Sequence, residues 1–246
     1  MLRGVRLSEA AHAWAAAVTR RHSRFGYWVM RGLSPGWRAY VEVYAYFRWA
    51  DDRVDAPGRD PRAVQAFVAD QARLWRGERD ATELPEVALV RALDRYPALS
   101  GAVHRMGEAL TFDAHRDARP LPARDLDAQV ERVGDAYLAA LWACGGESGP
   151  PPEGLSGLSR AATRAHLLRD RELDEALGYV NRPPGPDGAP IPVATWTAGL
   201  VARARAEAAT GHSALRRVPW GRTRLLLGLW AWRYARLLRR VAGPGE

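Results

Sequence analysis

Most of the chain carries its apolar residues in patterns compatible with helices, and no segment alternates with the two-residue period of a half-buried strand. A first helix is expected where Ser8 and Glu9 open an alanine-rich run to Arg20, with a helix end or bend across 22–27, since Gly26 weakens any continuation. The turn Ser34-Pro35-Gly36 should start a second helix, with Ser34 as its N-cap and Pro35 in its first turn. That helix should run to about Asp55 and stop at Ala56-Pro57-Gly58. Further helical patterns cover about 61–75, 85–95, 99–115, 123–143, 158–168 and onward, 195–209 and 220–241. Turn signals separate them, and 182–190 reads as an irregular loop rich in proline. The architecture read from this pattern is all-α.

Two acidic stretches stand out against it. The apolar run 40–47 closes on Arg48-Trp49-Ala50-Asp51-Asp52-Arg53-Val54-Asp55. On a helix, Asp51 and Asp55 stand one turn apart on one face, while Asp52 points elsewhere. Two carboxylates so placed repel each other unless a cation lies between them, and Mg²⁺ favours such oxygen ligands together with phosphate. Taken alone the spacing is equally that of a solvated helix face. The second copy, Arg169-Asp170-Arg171-Glu172-Leu173-Asp174, repeats the spacing of Asp170 and Asp174 and again sets an arginine just upstream. Facing each other across a bundle, two such helices would supply four carboxylates to shared Mg²⁺ ions. That chemistry suits departure of a diphosphate, whose oxygens arginines also bind. A break at the Gly- and Pro-rich segment 145–154 would separate the two motifs, so one domain over residues 1–246 is expected.

Composition narrows the class. The 246 residues are 47% hydrophobic, which supplies a substantial core, and no stretch of about twenty apolar residues is free of charge. The first residues lack the pattern of a signal peptide, so a cytoplasmic location is expected. The single cysteine, Cys144, reads as a buried thiol. Net charge is +8, carried by arginine without any lysine, but spread rather than gathered into a nucleic-acid patch. The partner it fits is a diphosphate substrate or an anionic membrane surface. The last helix mixes tryptophans and leucines with arginines; it either packs into the core or presents an amphipathic surface for peripheral membrane contact.

The residues resemble a known family. Leu33 to Arg38 followed by Val43 to Asp55 resembles the first signature of the squalene/phytoene synthases, and His22-Ser23 resembles the opening of their substrate segment. Leu167 to Asp174, then Gly178 and Pro183, resembles the second signature, and Ala231 to Tyr234 the C-terminal helix. The resemblance implies an all-α, single-domain bundle of the isoprenoid (terpenoid) synthase type around a central apolar cavity. It implies a Mg²⁺-dependent enzyme of isoprenoid or carotenoid biosynthesis that joins two prenyl diphosphates head to head. Asp51, Asp55, Asp170 and Asp174 would hold Mg²⁺ and diphosphate. Tyr44, Arg48, Arg169, His22 and Ser23 would contact diphosphate or steer the carbocation, with Tyr234 near the leaving group.

This sequence departs from the family where Gln and Asn usually precede the second motif; Thr163 and His166 stand there. His166 either replaces an amide near the cluster or has no ligand role. The departures leave open an enzyme that cyclises one prenyl diphosphate or passes its prenyl group to another acceptor. A non-catalytic scaffold of the same fold is a further alternative, against which the four retained aspartates speak.

Overall fold

Prolines and capping side chains set where several helices begin. Pro61 stands in a first turn, where its missing N–H leaves nothing unsatisfied, and the Asp60 carboxylate accepts from the Arg62 N–H at 3.0 Å. Pro85 repeats the device, with Glu86 accepting from the backbone N–H of Glu83 at 3.1 Å. The structure, a computed structural model, describes residues 2–56, 58 and 60–242, with side chains from residue 7 onward. Among the described residues there are ten α-helices and no strand: α1 Leu2–His22, α2 Arg24–Leu33, α3 Trp37–Val54, α4 Pro61–Trp75, α5 Leu84–Arg95, α6 Ser100–Ala114, α7 Ala123–Gly145, α8 Gly157–Ala176, α9 Val193–Leu215 and α10 Arg222–Val241. The all-α expectation holds. A single isolated bridge, Pro184 to Pro190, closes the proline-rich loop.

The helix end expected within 22–27 falls at Ser23, whose φ of −140° and ψ of 62° leave the helical region, and Gly26 lies inside α2. Two local expectations are corrected. Ser34 is the C-cap of α2 and caps no following helix; its hydroxyl donates to the carbonyl of Cys144, and Gly36 precedes α3. Trp220 lies before α10 and not within it. The proposed stop at Pro57 lies outside the described residues.

The helices form two compact units. The first comprises Met1–Ala114, Ala139–Pro150 and Trp220–Leu226. At its centre α3 packs against α1, α2, α5 and α6 and buries Tyr40, Val41, Ala45, Tyr46, Ala50 and Val54. Tyr46 anchors a buried polar chain across helices: the Trp75 indole N–H donates to its hydroxyl at 2.7 Å, and that hydroxyl donates to Gln71 Oε1 at 2.7 Å. Gln71 in turn donates to Glu86 at 2.8 Å, and Arg79 and the Thr82 N–H complete the carboxylate's shell. These bonds supply the partners that buried polar groups require.

The second unit comprises His115–Leu138, Pro151–Pro219 and Leu227–Glu246. Here α8 and α9 cross at two glycines. A Cβ on Gly157 would lie 2.3 Å from the Glu207 carbonyl oxygen, and one on Gly211 2.5 Å from the Leu158 nitrogen. The close crossing lets Ala161 and Ala165 pack with Val201, Ala204 and Leu238. Arg164 is clamped between Glu207, at 2.9 and 3.0 Å, and Asp127, at 3.0 Å. Both readings of the last helix have a residue set: Trp230 and Leu238 are buried, whereas Trp232 is 53% exposed under the Arg236 guanidinium. No helix among the described residues is long and apolar enough to cross a membrane.

The Glu86 shell predicts an acid-sensitive first unit. Burial acts to raise this carboxyl, but the bonds from Arg79, Gln71 and the Thr82 and Glu83 N–H groups outweigh it and hold it at about 2. A carboxyl depressed in the folded state stabilises above its unfolded value, near 4.5, and loses that contribution as pH falls from there toward 2. Urea unfolding followed by tryptophan fluorescence should show the midpoint dropping through this window. Glu86→Gln should unfold roughly 1–3 kcal/mol more easily at neutral pH and show a flatter acid dependence.

Candidate functional site

The first acidic motif lies where α3 ends. Residues 44, 48, 51 and 55 follow one another at helical spacing, which places Tyr44, Arg48, Asp51 and Asp55 on one face. Asp55 is the C-cap, one residue beyond the helix, yet its N–H still donates to the Asp51 carbonyl at 2.8 Å and so completes the turn. Arg48 reaches both neighbouring carboxylates, with Nη1 3.2 Å from Asp51 and Nε donating to Asp52 at 2.9 Å. The Tyr44 ring stacks on Tyr40, with centroids 6.0 Å apart.

Desolvation pushes the Asp51 carboxyl up to about 7, followed by the like charge of Asp55, against the opposing pull of Arg48; Asp113 from α6 adds to the rise. The Asp51 side chain still keeps 45% of its surface open to water, so repulsion between carboxylates is the firmer of the two causes. His22 and Ser23 sit on a separate element, the α1–α2 junction, with His22 exposed and Ser23 buried.

The second motif lies within α8, so Asp170 and Asp174 are both helical. Arg169 grips Asp170 through Nε at 2.6 Å and Nη2 at 2.5 Å, a fork-to-carboxylate contact. His166, one turn earlier, brings Nδ1 to 3.8 Å from Asp170 Oδ2. Burial would raise the Asp170 carboxyl, but His166 and Arg169 outweigh it and hold it at about 2. Tyr234 meets the His166 ring edge-on at 5.4 Å and stacks on Trp230, also at 5.4 Å. It also lines a cavity of about 340 Å³ walled by Leu158, Ala161, Ala231 and Leu238. The structure thus joins His166, Arg169, Asp170 and Tyr234 into one cluster, and His166 is a partner of the motif.

Three participants stand outside the expected site residues. Asp113 acts on Asp51 from a separate helix, α6. Asn181 donates to Asp174 at 2.9 Å, and Arg116 donates to Asn181 at 2.8 Å. Asn181 stands just before the proline-rich loop, and its arginine lies 65 positions away, so spacing along the chain gives no sign of their contact.

Among the described residues no group of three or more His, Cys, Asp or Glu side chains is arranged to hold a metal by itself. Each motif offers carboxylate oxygens only, a donor set that suits Mg²⁺ when phosphate oxygens and water fill the remaining positions.

The fold is that of the squalene and dehydrosqualene synthases. The chain matches a squalene synthase from Alicyclobacillus acidocaldarius with a TM-score of 0.69 and 23% identity, over 98% of this chain and 97% of that one. It matches a dehydrosqualene synthase, solved in complex with a ligand, with a TM-score of 0.66 and 17% identity, over 94% of this chain and 86% of that one. No protein-family model and no curated protein matches the sequence.

The elevated Asp51 carboxyl makes a prediction about its neighbour. Carboxyl carbon shifts followed by NMR should show Asp51 titrating near neutrality in the native chain. Asp55→Asn removes a repelling charge and should lower that midpoint by roughly a unit. An unchanged midpoint would separate the two residues electrostatically.

Proposed function

We propose that this protein is a Mg²⁺-dependent synthase that ionises an allylic prenyl diphosphate, of farnesyl or geranylgeranyl length. Most simply it joins two of them head to head into a squalene- or phytoene-like product. The observation that carries the reading is the repeated motif: two aspartates one turn apart beside an arginine, present on α3 and again on α8, in a chain with this fold.

Heterolysis of the allylic C–O bond leaves the electron pair on diphosphate and a cation on the prenyl chain. Bound Mg²⁺ would supply Lewis-acid stabilisation of the departing diphosphate. Asp51 and Asp55 in the first unit, and Asp170 and Asp174 in the second, would each supply carboxylate oxygens to Mg²⁺. Arg48 and Arg169, each already bonded to motif carboxylates, would exchange part of that contact for diphosphate oxygens, which bind a guanidinium in the same forked way. Tyr44 and Tyr234, both packed against other aromatic rings, would flank the cation with rigid, electron-rich surface. His22 and Ser23 would bind substrate from the α1–α2 junction. The exposed Trp232, with Arg236 over its ring, would give a peripheral contact to an anionic lipid surface.

The test is incubation of the purified chain with Mg²⁺ and geranyl, farnesyl or geranylgeranyl diphosphate, each alone, with products read by mass spectrometry. The expected product is a hydrocarbon skeleton of twice the substrate's carbon count. Asp51→Ala and Asp170→Ala should each lower turnover about 100-fold or more. A product of unchanged carbon count would replace coupling with cyclisation. Absence of diphosphate release from every substrate would overturn the proposal.

A further inference from the structure

The end of α8 brings the chain back onto its own second aspartate. Asp174, Glu175 and Ala176 are the last helical residues, and Leu177 is the C-cap. The Tyr179 N–H donates to the Asp174 carbonyl at 2.8 Å and the Gly178 N–H to the Glu175 carbonyl at 3.1 Å. These are the paired bonds of a Schellman cap, and Gly178, at φ +88°, occupies the left-handed position that such a cap requires. The reversal carries Asn181 beside the Asp174 side chain. Two further contacts fasten the returning segment: the Leu121 N–H donates to the Val180 carbonyl at 3.0 Å, and Arg182 donates to Glu175 at 2.9 Å.

Asn181 is only 4% exposed, and its amide is spoken for on both sides. Its Nδ2 donates to Asp174 Oδ2 at 2.9 Å, and its Oδ1 accepts from Arg116 Nη2 at 2.8 Å. The partners fix the direction of the amide, since a carboxylate only accepts and a guanidinium only donates. Arg116 is itself placed by stacking on Tyr179, 5.0 Å from the ring centroid, so the same turn that delivers Asn181 also delivers the platform for its arginine.

We propose that Asn181, oriented by Arg116, is a positioning residue that sets the Asp174 carboxylate in place for a cation–diphosphate ligand. This inference rests on the Mg²⁺ reading of the motif. The contact fixes one carboxylate oxygen in advance, which reduces the ordering that ligand binding would otherwise require. It also links the carboxylate, through the Asn181 amide, to the positive charge of Arg116. Asp170, the other aspartate of the motif, is gripped directly by Arg169.

Calorimetric titration of the full chain with inorganic pyrophosphate in Mg²⁺ tests this without turnover. Asn181→Leu, close in size but unable to hydrogen-bond, should weaken Mg²⁺-dependent binding about 10- to 100-fold. Arg116→Met should weaken it in the same direction by less, and Arg116→Lys, which keeps a donor for Oδ1, should recover part of that loss. A purely structural role would lower the thermal midpoint without this ordering of affinities. Native affinity in both Asn181→Leu and Arg116→Met would overturn the inference while leaving the Mg²⁺ reading intact. Absence of Mg²⁺-dependent binding by the unaltered chain would overturn both. If Asn181→Leu does not fold, the Arg116 pair decides, because Asn181 stays in place in both variants.

Discussion

Carboxylates one helical turn apart repel each other, and this protein carries that arrangement twice. Asp51 and Asp55 close α3, and Asp170 and Asp174 close α8. Each pair has an arginine in contact with its first member, Arg48 or Arg169, and the two environments answer the repulsion differently. Around Asp51 the carboxylate charge is in excess, with Asp52, Asp55 and Asp113 all nearby, and its carboxyl rises to about 7. Around Asp170 the neighbouring His166 and the forked contact from Arg169 prevail, and its carboxyl falls to about 2. In the first motif, carboxylate charge exceeds what its arginine offsets; in the second it does not.

The rest of each unit holds its motif-bearing helix still. In the first, α3 is buried along much of its length, and the chain of bonds from Trp75 through Tyr46 and Gln71 to Glu86 ties it to α4 and α5. In the second, the glycine crossing with α9 and the clamp on Arg164 fix α8, and its Schellman cap ends the helix two residues after Asp174. Helix ends are suited to this work. They leave the last aspartate next to a change of chain direction, where side chains from the following segment can reach it.

The sequence made the helical architecture and both motifs legible, because each depends on local spacing: the apolar pattern, Pro61 and Pro85 in first turns, and aspartates four residues apart. What it hid depends on contacts between distant positions. Ser34 looked like an N-cap because serine before proline usually is one; here the Cys144 carbonyl, 110 residues away, takes its hydroxyl. The break expected within 22–27 came at Ser23, while Gly26 stayed inside α2. The role of Asn181 and its meeting with Arg116 were hidden for the same reason, as they need the turn at Gly178. His166 was legible as a candidate from its place one turn before Asp170, and Tyr234 joined it only in three dimensions.

The proposed function requires both aspartate pairs for diphosphate binding. A thermodynamic cycle tests that requirement: Mg²⁺-dependent pyrophosphate affinity of the native chain, Asp51→Asn, Asp170→Asn and the double variant. The account predicts that the two losses are strongly coupled, with the double variant losing far less than the sum of the single losses. Losses that simply add, or a loss confined to one motif, would contradict it.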